Sequence, residues 1–401
     1  MGEFIPVIEK GNVKSFINIG GDFLQLITND AEKIFMFISS KCIEISSILA
    51  NYTLHVDSVK INTIHFLAPT PTIFGYAIRD LDEFAKIFTK KLGDKIKNKK
   101  IIVDWSGGKD SSANLVFMQK LNDYIPFKLQ AVYVHIPFLE NERNQDFVQK
   151  MASKLGVDLV ILEPDREIFK SLLLSKGMPI RGKRWCTYQK IRVIRKFRKS
   201  HKIDFEVVSD RIYEAYKRLI SLHTFLFGRH FISGSQLKPM FFATILDVVK
   251  ICRKYDVIHP DYLRGFTRVS CDLCPYRPLY EIKMLSNRVE DPGFIENILR
   301  IMYKKNYHFV STFDEFINYA LWRYHPKLAS EMIKAWRNLE KMEELRALEI
   351  NEVLKMFASI WREDFPKAPY LTLDCIQKLI KNALKQKRYT MIYPELLESK
   401  I

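Results

Sequence analysis

The sequence predicts an α/β fold with a doubly wound, mainly parallel sheet, preceded by a small mixed α/β domain and followed by a helical domain. Two observations indicate this class. Short apolar strands alternate with helical patterns through the middle of the chain, as in parallel sheets. After about residue 280 the strand patterns stop and helical patterns continue. We therefore expect three domains, residues 1–95, 96–285 and 286–401.

The N-terminal block contains both kinds of pattern. Residues 23–27 and 52–56 are predicted strands, whereas 31–47 and 80–92 have the spacing of apolar residues that is typical of helices. Because no motif occurs here, the block indicates no function.

The middle and C-terminal blocks carry the remaining predicted elements. The middle strands are 101–103, 129–134, 159–162 and 205–208, and the helices between the first three are 111–121 and 144–155. The predicted C-terminal helices are 313–322, 327–348, 351–361 and 373–385.

Composition limits the class of partner. The 401 residues carry a net charge of +17, which favours nucleic acid, a membrane surface or a polyphosphate ligand, although solvated basic faces explain it equally well. Six cysteines are too few for a disulfide framework, and no apolar run reaches the ~18 residues of a membrane span. With no signal-peptide pattern, we expect a soluble, cytoplasmic protein with reduced thiols and no membrane partner.

The clearest motif is a glycine-rich turn between the strand 101–103 and the helix 111–121. Adjacent glycines allow close approach of a ligand to the backbone, and a helix N-terminus favours anions. Hydroxyls and one lysine add further donors, so the sequence predicts a phosphate-binding loop. Its residues are Ser106, Gly107, Gly108, Lys109, Asp110, Ser111 and Ser112.

This loop differs from the Walker pattern and resembles the signature of the PP-loop superfamily. Further segments resemble the phosphoadenosine phosphosulfate (PAPS) reductase-like branch of that superfamily, and the resemblance spans residues 101–285. They are Arg184–Thr187 with Lys190, Ser209–Arg218, Lys238–Pro239 with Asp247–Val248, and Tyr262–Pro275. In the second segment, Ser209 and Ala215 replace the usual glycine and serine.

The resemblance implies an adenine-nucleotide alpha-hydrolase-like fold that binds ATP with Mg²⁺. By position, Lys109, Asp110 and Arg211 would take part in catalysis, and the other loop residues would hold the phosphates. Arg218 and Arg268 would add positive charge beside the ligand, since arginine suits bidentate contacts to oxyanions. Each arginine could instead be an ion-pair partner.

Three cysteines belong to the matching segments. Cys271 and Cys274 have the spacing of a metal half-site, and the resemblance implies that Cys186 lies near them. Together they could hold a [4Fe–4S] cluster or zinc, with Cys252 or His259 as a candidate fourth ligand. The alternative is that the thiols pack as small hydrophobic groups.

The sequence departs from the sulfonucleotide reductases in one respect. Those enzymes carry a Glu-Cys-Gly-Leu-His element near the C-terminus, which is missing here, and Cys375 lies in a helical pattern without glycine or histidine. We therefore expect an enzyme that adenylates tRNA or another nucleic acid for sulfur incorporation. The sulfur would come from a sulfur-donor protein or from sulfide. The alternatives are a PAPS reductase and a non-catalytic nucleotide-binding component of a DNA phosphorothioation-type complex.

A basic helical segment, residues 190–202, adds a second hint of nucleic acid. On one helix its lysines and arginines could follow an RNA backbone or could form a solvated face.

Overall fold

The first part of the chain forms an antiparallel sheet. The computed structural model describes residues 3–29, 31–38, 41–67, 72–228, 230–342, 345–385 and 391–392. The strands of this sheet are β1 (Ile5–Glu9), β2 (Asn12–Gly20), β3 (Phe23–Ile27), β4 (Glu32–Ile38) and β5 (Lys41–Glu44). A smaller antiparallel sheet and three separate elements follow: β6 (Leu49–Ala50), β7 (Thr53–Val56), β8 (Val59–Asn62), α1 (Ile64–Leu67), β9 (Thr72–Ile73) and α2 (Leu81–Ile96).

The helix predicted over residues 31–47 is wrong, because this segment forms β4 and β5. Both faces of β4 are buried: Phe35 and Phe37 pack into one apolar cluster, and Ile34 and Met36 pack into another. A strand covered on both sides reads as a continuous apolar run, which does not show the alternation that distinguishes strands from helices.

The middle of the chain forms the predicted, mainly parallel sheet with helices. Its elements are β10 (Lys100–Asp104), α3 (Lys109–Asn122), β11 (Lys128–Val134), α4 (Glu142–Leu155), β12 (Asp158–Leu162), α5 (Arg166–Lys176), α6 (Trp185–His201), β13 (Phe205–Val207), α7 (Tyr216–Gly228), β14 (Ile232–Ser233), β15 (Gln236–Leu237), α8 (Ile245–Lys254) and α9 (Pro260–Leu263). The strand order is β12-β11-β10-β13-β15-β14, and β14 runs antiparallel to β15.

Strand β10 lies inside this sheet and is covered on both faces. Ile101 and Val103 belong to the large apolar cluster that includes α3 and α8, whereas Ile102 packs with Val132 and with Phe197 of α6. Successive side chains point to opposite faces of a strand, so this alternation places helices on both sides of the sheet. The carboxyl end of β10 therefore opens between two helical layers, where ligands bind in open α/β sheets.

The C-terminal part is mainly helical but also contributes strands. Its elements are α10 (Leu279–Leu285), α11 (Pro292–Met302), α12 (Phe313–Asn318), α13 (Pro326–Leu339), β16 (Ala347–Glu349), α14 (Ile350–Arg362), α15 (Leu373–Lys385) and β17 (Met391–Ile392). The expectation that strands stop after residue 280 is wrong: β16 pairs antiparallel with β5, and β17 pairs parallel with β9. The helix predicted over 327–348 accordingly ends at Leu339.

Contacts far apart in sequence join the C-terminal helices to the N-terminal sheet. The Trp336 indole donates a hydrogen bond to the Phe37 carbonyl at 3.0 Å. Buried Arg323 pairs with buried Asp22 through two hydrogen bonds of 3.0 and 2.7 Å. The N-terminal sheet and the C-terminal helices therefore pack together. None of the helices in the described part of the chain is both long and apolar enough to cross a bilayer.

Candidate nucleotide site

The glycine-rich turn connects β10 directly to the N-terminus of α3. Gly107 has a φ of +74°, a left-handed conformation that residues with a Cβ rarely adopt. A Cβ at Gly107 would also lie 3.3 Å from the side chains of Phe147 and Val148. Gly108 caps α3, so the first amides of the helix face the end of the turn.

Serine hydroxyls fix the shape of the turn. Ser111 Oγ accepts a hydrogen bond from the Ser106 amide at 3.2 Å and donates one to the Gly108 carbonyl at 3.0 Å. Ser112 lies behind the turn, where its Oγ accepts a hydrogen bond from the Trp105 indole at 3.0 Å. These bonds hold the loop in place without help from a ligand.

Behind the loop lies a row of alternating charges that runs from Lys109 to Glu3. Lys109 Nζ lies 2.7 Å from Asp110 Oδ2, and Asp110 Oδ1 lies 2.5 Å from Arg211 Nε. The Arg211 guanidinium also donates hydrogen bonds to both carboxylate oxygens of Glu3, at 2.8 and 2.6 Å, and to the Ala243 carbonyl at 3.0 Å. Its side chain is 0% exposed. The structure thus places Arg211 in a sealed network that supports the loop.

These contacts govern the protonation of the pair. Burial alone would raise the pKa of Asp110, but the charges of Arg211 and Lys109 outweigh burial and lower it. Burial alone would lower the pKa of Lys109, yet the charge of Asp110 outweighs it and the pKa is raised. Lys109 and Asp110 are therefore both charged near neutral pH.

A cavity of about 380 Å³ opens on the other side of the loop. Ser106 lines it, together with the predicted Arg218 and Arg268. Arg218 is already paired with Glu214 and with Asp210, at 2.9 Å from Asp210. Among the described residues Arg268 forms no ion pair with a carboxylate, and its Nε is buried without a hydrogen bond.

The three predicted cysteines line the same cavity. Cys186 comes from the start of α6, whereas Cys271 and Cys274 lie on the segment after α9. Burial raises the pKa of Cys186 and Cys271. Burial would also raise the pKa of Cys274, but Arg268 and a backbone hydrogen bond outweigh it, so the pKa of this thiol is lowered. The cavity therefore joins a phosphate loop to thiols of unequal acidity.

The thiols do not form a ready metal site. Within the described residues, no group of three or more histidine, cysteine, aspartate or glutamate side chains is arranged to hold a metal ion. The candidate fourth ligands lie elsewhere: Cys252 Sγ is 3.4 Å from the Lys109 carbonyl, and His259 caps α9. The donor atoms suit iron or zinc, but the arrangement of the described residues does not.

The sequence of the central region identifies its family. Residues 100–277 match the phosphoadenosine phosphosulfate reductase domain. This region is a PAPS reductase-like domain of the PP-loop superfamily. The match covers the loop and every cavity residue discussed above, which confirms the resemblance seen in the motifs and the predicted sheet.

Two curated relatives overlap this PAPS reductase-like domain. An uncharacterised protein of Methanocaldococcus jannaschii is 29% identical over 203 residues, covering 49% of this chain and 47% of the relative. The chain thus spans about half the length of that relative. A tRNA-cytidine(32) 2-sulfurtransferase of Hahella chejuensis is 21% identical, covering 55% of this chain and 81% of the relative.

Solved structures show only a weak overall likeness. The U34-tRNA thiolase NcsA from Methanococcus maripaludis, solved with its [4Fe–4S] cluster, gives a TM-score of 0.36 at 15% identity, covering 66% of this chain and 81% of NcsA. NMN synthetase from Francisella tularensis gives a TM-score of 0.31 at 12% identity, covering 68% of this chain and 98% of the synthetase. Scores this low support no inference about the site.

Three residues of the site were not predicted from sequence. Glu3 closes the charge network from more than 200 positions away, and no local pattern marks it. The Tyr262 hydroxyl accepts a hydrogen bond from the Lys109 amide at 3.1 Å. Glu140, buried at the cavity, accepts a hydrogen bond from the Tyr133 hydroxyl at 2.8 Å. Tyr262 begins one of the family segments, which was the available signal for a contact with the loop.

Proposed function

We propose that this protein uses ATP to adenylate an oxygen of tRNA or another nucleic acid, preparing that position for sulfur. The observation that carries the proposal is the shared cavity, where the PP-loop, Arg268 and three thiols meet. The family match and the tRNA sulfurtransferase relative support the same class of reaction.

The first step is attack by the acceptor oxygen on the α-phosphorus of ATP. The bond between the α-phosphorus and its bridging oxygen breaks, pyrophosphate leaves with that oxygen, and the acceptor becomes an adenylate. The N-terminus of α3 and the loop amides would hold the phosphates, and Arg268 would stabilise negative charge in the transition state. Mg²⁺ bound to the phosphates supplies further neutralisation.

The second step is displacement of AMP by hydrosulfide, which is either free sulfide or sulfide released at the site by a sulfur-donor protein, and the hydrosulfide proton is lost to water. The carbon–oxygen bond to AMP breaks, and a carbon–sulfur bond replaces it. In this proposal Asp110 and Arg211 hold the loop from behind, and Lys109, which is paired with Asp110, adds positive charge close to the loop.

The deciding experiment measures pyrophosphate release from ATP with Mg²⁺ and an unmodified tRNA transcript. We expect release that depends on RNA and is lost in a Ser106→Ala/Gly108→Ala double variant that still folds. Sulfite release from PAPS would instead indicate a sulfonucleotide reductase. Nucleotide binding with neither product would indicate a non-catalytic component, and both results would contradict adenylation.

A separate measurement tests whether the thiols hold a metal. Protein purified without oxygen is analysed for iron, zinc and acid-labile sulfide, with Cys271→Ala and Cys375→Ala as test and control variants. Iron with sulfide, or zinc, that is lost only in Cys271→Ala would assign the three cysteines as ligands. Protein free of both metals would contradict the metal prediction and leave the adenylation proposal intact.

A further inference from the structure

A second, larger cavity of about 920 Å³ lies beside the first one. We call it the cation groove. It runs between the start of α6, the start of α7 and the helices α11 and α13. Its lining contains four cationic side chains and no carboxylate. The four cations are Lys176, Lys183, Arg184 and Lys217.

The charges of the cation groove are free to meet a ligand. All four side chains are exposed, and none forms an ion pair with a carboxylate of the described residues. By contrast, Arg198 of α6 pairs with Glu206 and is less available to a ligand. An unpaired set of cations around a concave surface attracts a polyanion.

Aromatic rings lie between these cations. Tyr188 projects from α6 and is 74% exposed, which is unusual for a large ring in a groove. The neighbouring Trp185 is fixed, because its indole donates a hydrogen bond to the Gly177 carbonyl at 3.1 Å. Tyr276 stands against the guanidinium of Arg184, 4.7 Å from its ring centre. Exposed rings among cations are what single-stranded nucleic acid binds, by stacking and phosphate contact.

The cation groove continues into the nucleotide cavity. Arg184 and Thr187 line both of them, so one wall is shared. A ligand that lies along the groove therefore reaches the edge of the cavity lined by Ser106.

We propose that the cation groove binds a single-stranded segment of RNA, such as the loop of a folded RNA. One base stacks on Tyr188, and the lysines contact the phosphates. The neighbouring nucleotide then enters the nucleotide cavity past Arg184 and Thr187. This inference rests on the proposed function, because it gives the docking site of the acceptor, and a loop is the form in which RNA presents unstacked bases.

Fluorescence anisotropy with a labelled single-stranded RNA of about 12 nucleotides tests the proposal. Tyr188→Ala should weaken binding by roughly 5- to 150-fold, since one stacked base is lost. A Lys183→Gln/Lys217→Gln variant should reduce the slope of log affinity against log salt by about 1.4. Matched controls are Phe309→Ala, an exposed ring outside the groove, and Lys196→Gln/Lys199→Gln on the same helix α6.

The controls should bind as the unchanged protein does. Equal losses in the α6 control would favour a general basic face and overturn the groove, as would unchanged binding by Tyr188→Ala. Equal affinity for single-stranded DNA of the same sequence would overturn RNA as the occupant. Pyrophosphate release is measured on the same variants. If Tyr188→Ala retains RNA-dependent release, the groove proposal is overturned and the proposed function is not. If Tyr188→Ala loses RNA binding but the unchanged protein releases no pyrophosphate, only adenylation is contradicted.

Discussion

The two sides of the PP-loop differ in how their arginines are used. Behind the loop, Arg211 is fully buried and donates its hydrogen bonds to Asp110, Glu3 and a backbone carbonyl. In front of it, Arg268 lines an open cavity with its Nε unpaired among the described residues. A buried charge must be matched by opposite charge, whereas a charge at a cavity is left for a ligand. We therefore infer that Arg211 positions the loop and that Arg268 contacts the nucleotide.

The largest expected effect comes from breaking the sealed side. Arg211→Ala leaves buried Glu3 without its cation and Asp110 with Lys109 alone, which should lower the free energy of unfolding by about 3–5 kcal/mol. Urea denaturation measures this. Arg268→Ala, the matched arginine at the cavity, should unfold at nearly the same urea concentration as the unchanged protein. If Arg211→Ala were as stable as Arg268→Ala, the sealed network would not support the loop.

The sequence predicted the front of the site better than its back. The strand 101–103, the turn and the helix 111–121 are encoded within about twenty neighbouring residues, where apolar spacing and adjacent glycines are direct signals. The partner of Arg211 is not encoded in this stretch of the sequence. Glu3 reaches it through the folding of the N-terminal sheet, and no period or motif near residue 3 encodes that contact.

The same limit explains the errors in the flanking regions. The prediction of a helix over residues 31–47 is wrong because both faces of β4 are apolar. Each face is covered by parts of the chain that are far away in sequence. The strand Ala347–Glu349 exists because β5 offers it an edge to pair with. Sequence patterns report local periodicity and cannot show which distant element will cover a face.

A pH titration extends the comparison to a second buried group behind the loop. His259 is 0% exposed, and its ring packs against Phe147, one of the two side chains that lie nearest Gly107. Desolvation lowers its pKa from 6.5 to about 4. Between these values His259 is protonated in the unfolded chain and neutral in the folded protein, so its contribution to the free energy of unfolding falls as the pH drops through this window. The full loss is about 3 kcal/mol, and it levels off below pH 4. Buried Asp247 and Asp272, whose pKa is raised to about 6, contribute in the opposite direction.

The control for this titration keeps the helix cap. His259 Nδ1 accepts a hydrogen bond from the Asp261 amide at 3.1 Å, and His259→Asn preserves a side-chain acceptor there. Between pH 6.5 and 4, His259→Asn should lose about 3 kcal/mol less stability than the unchanged protein, because the contribution of His259 is removed. His308→Asn changes an exposed histidine and should retain the slope. Equal slopes in all three proteins would show that His259 is protonated in the folded state.

The smallest expected effect tests the open side. Arg268→Ala removes a cation that, on our proposal, forms charged hydrogen bonds to the nucleotide, so ATP affinity should fall by about 1.5–3 kcal/mol, or roughly 10- to 150-fold. Isothermal titration calorimetry with ATP and Mg²⁺ measures the affinity, and urea denaturation checks that the variant is as stable as the unchanged protein. Arg268→Lys should recover part of the loss, because it restores charge without the two-pronged geometry of a guanidinium.

Arg218→Ala is the matched cavity variant, and its effect should be weaker because Asp210 and Glu214 already hold that guanidinium. If Arg218→Ala weakened ATP binding more than Arg268→Ala, pairing within the protein would not be what separates structural from ligand-binding arginines at this loop.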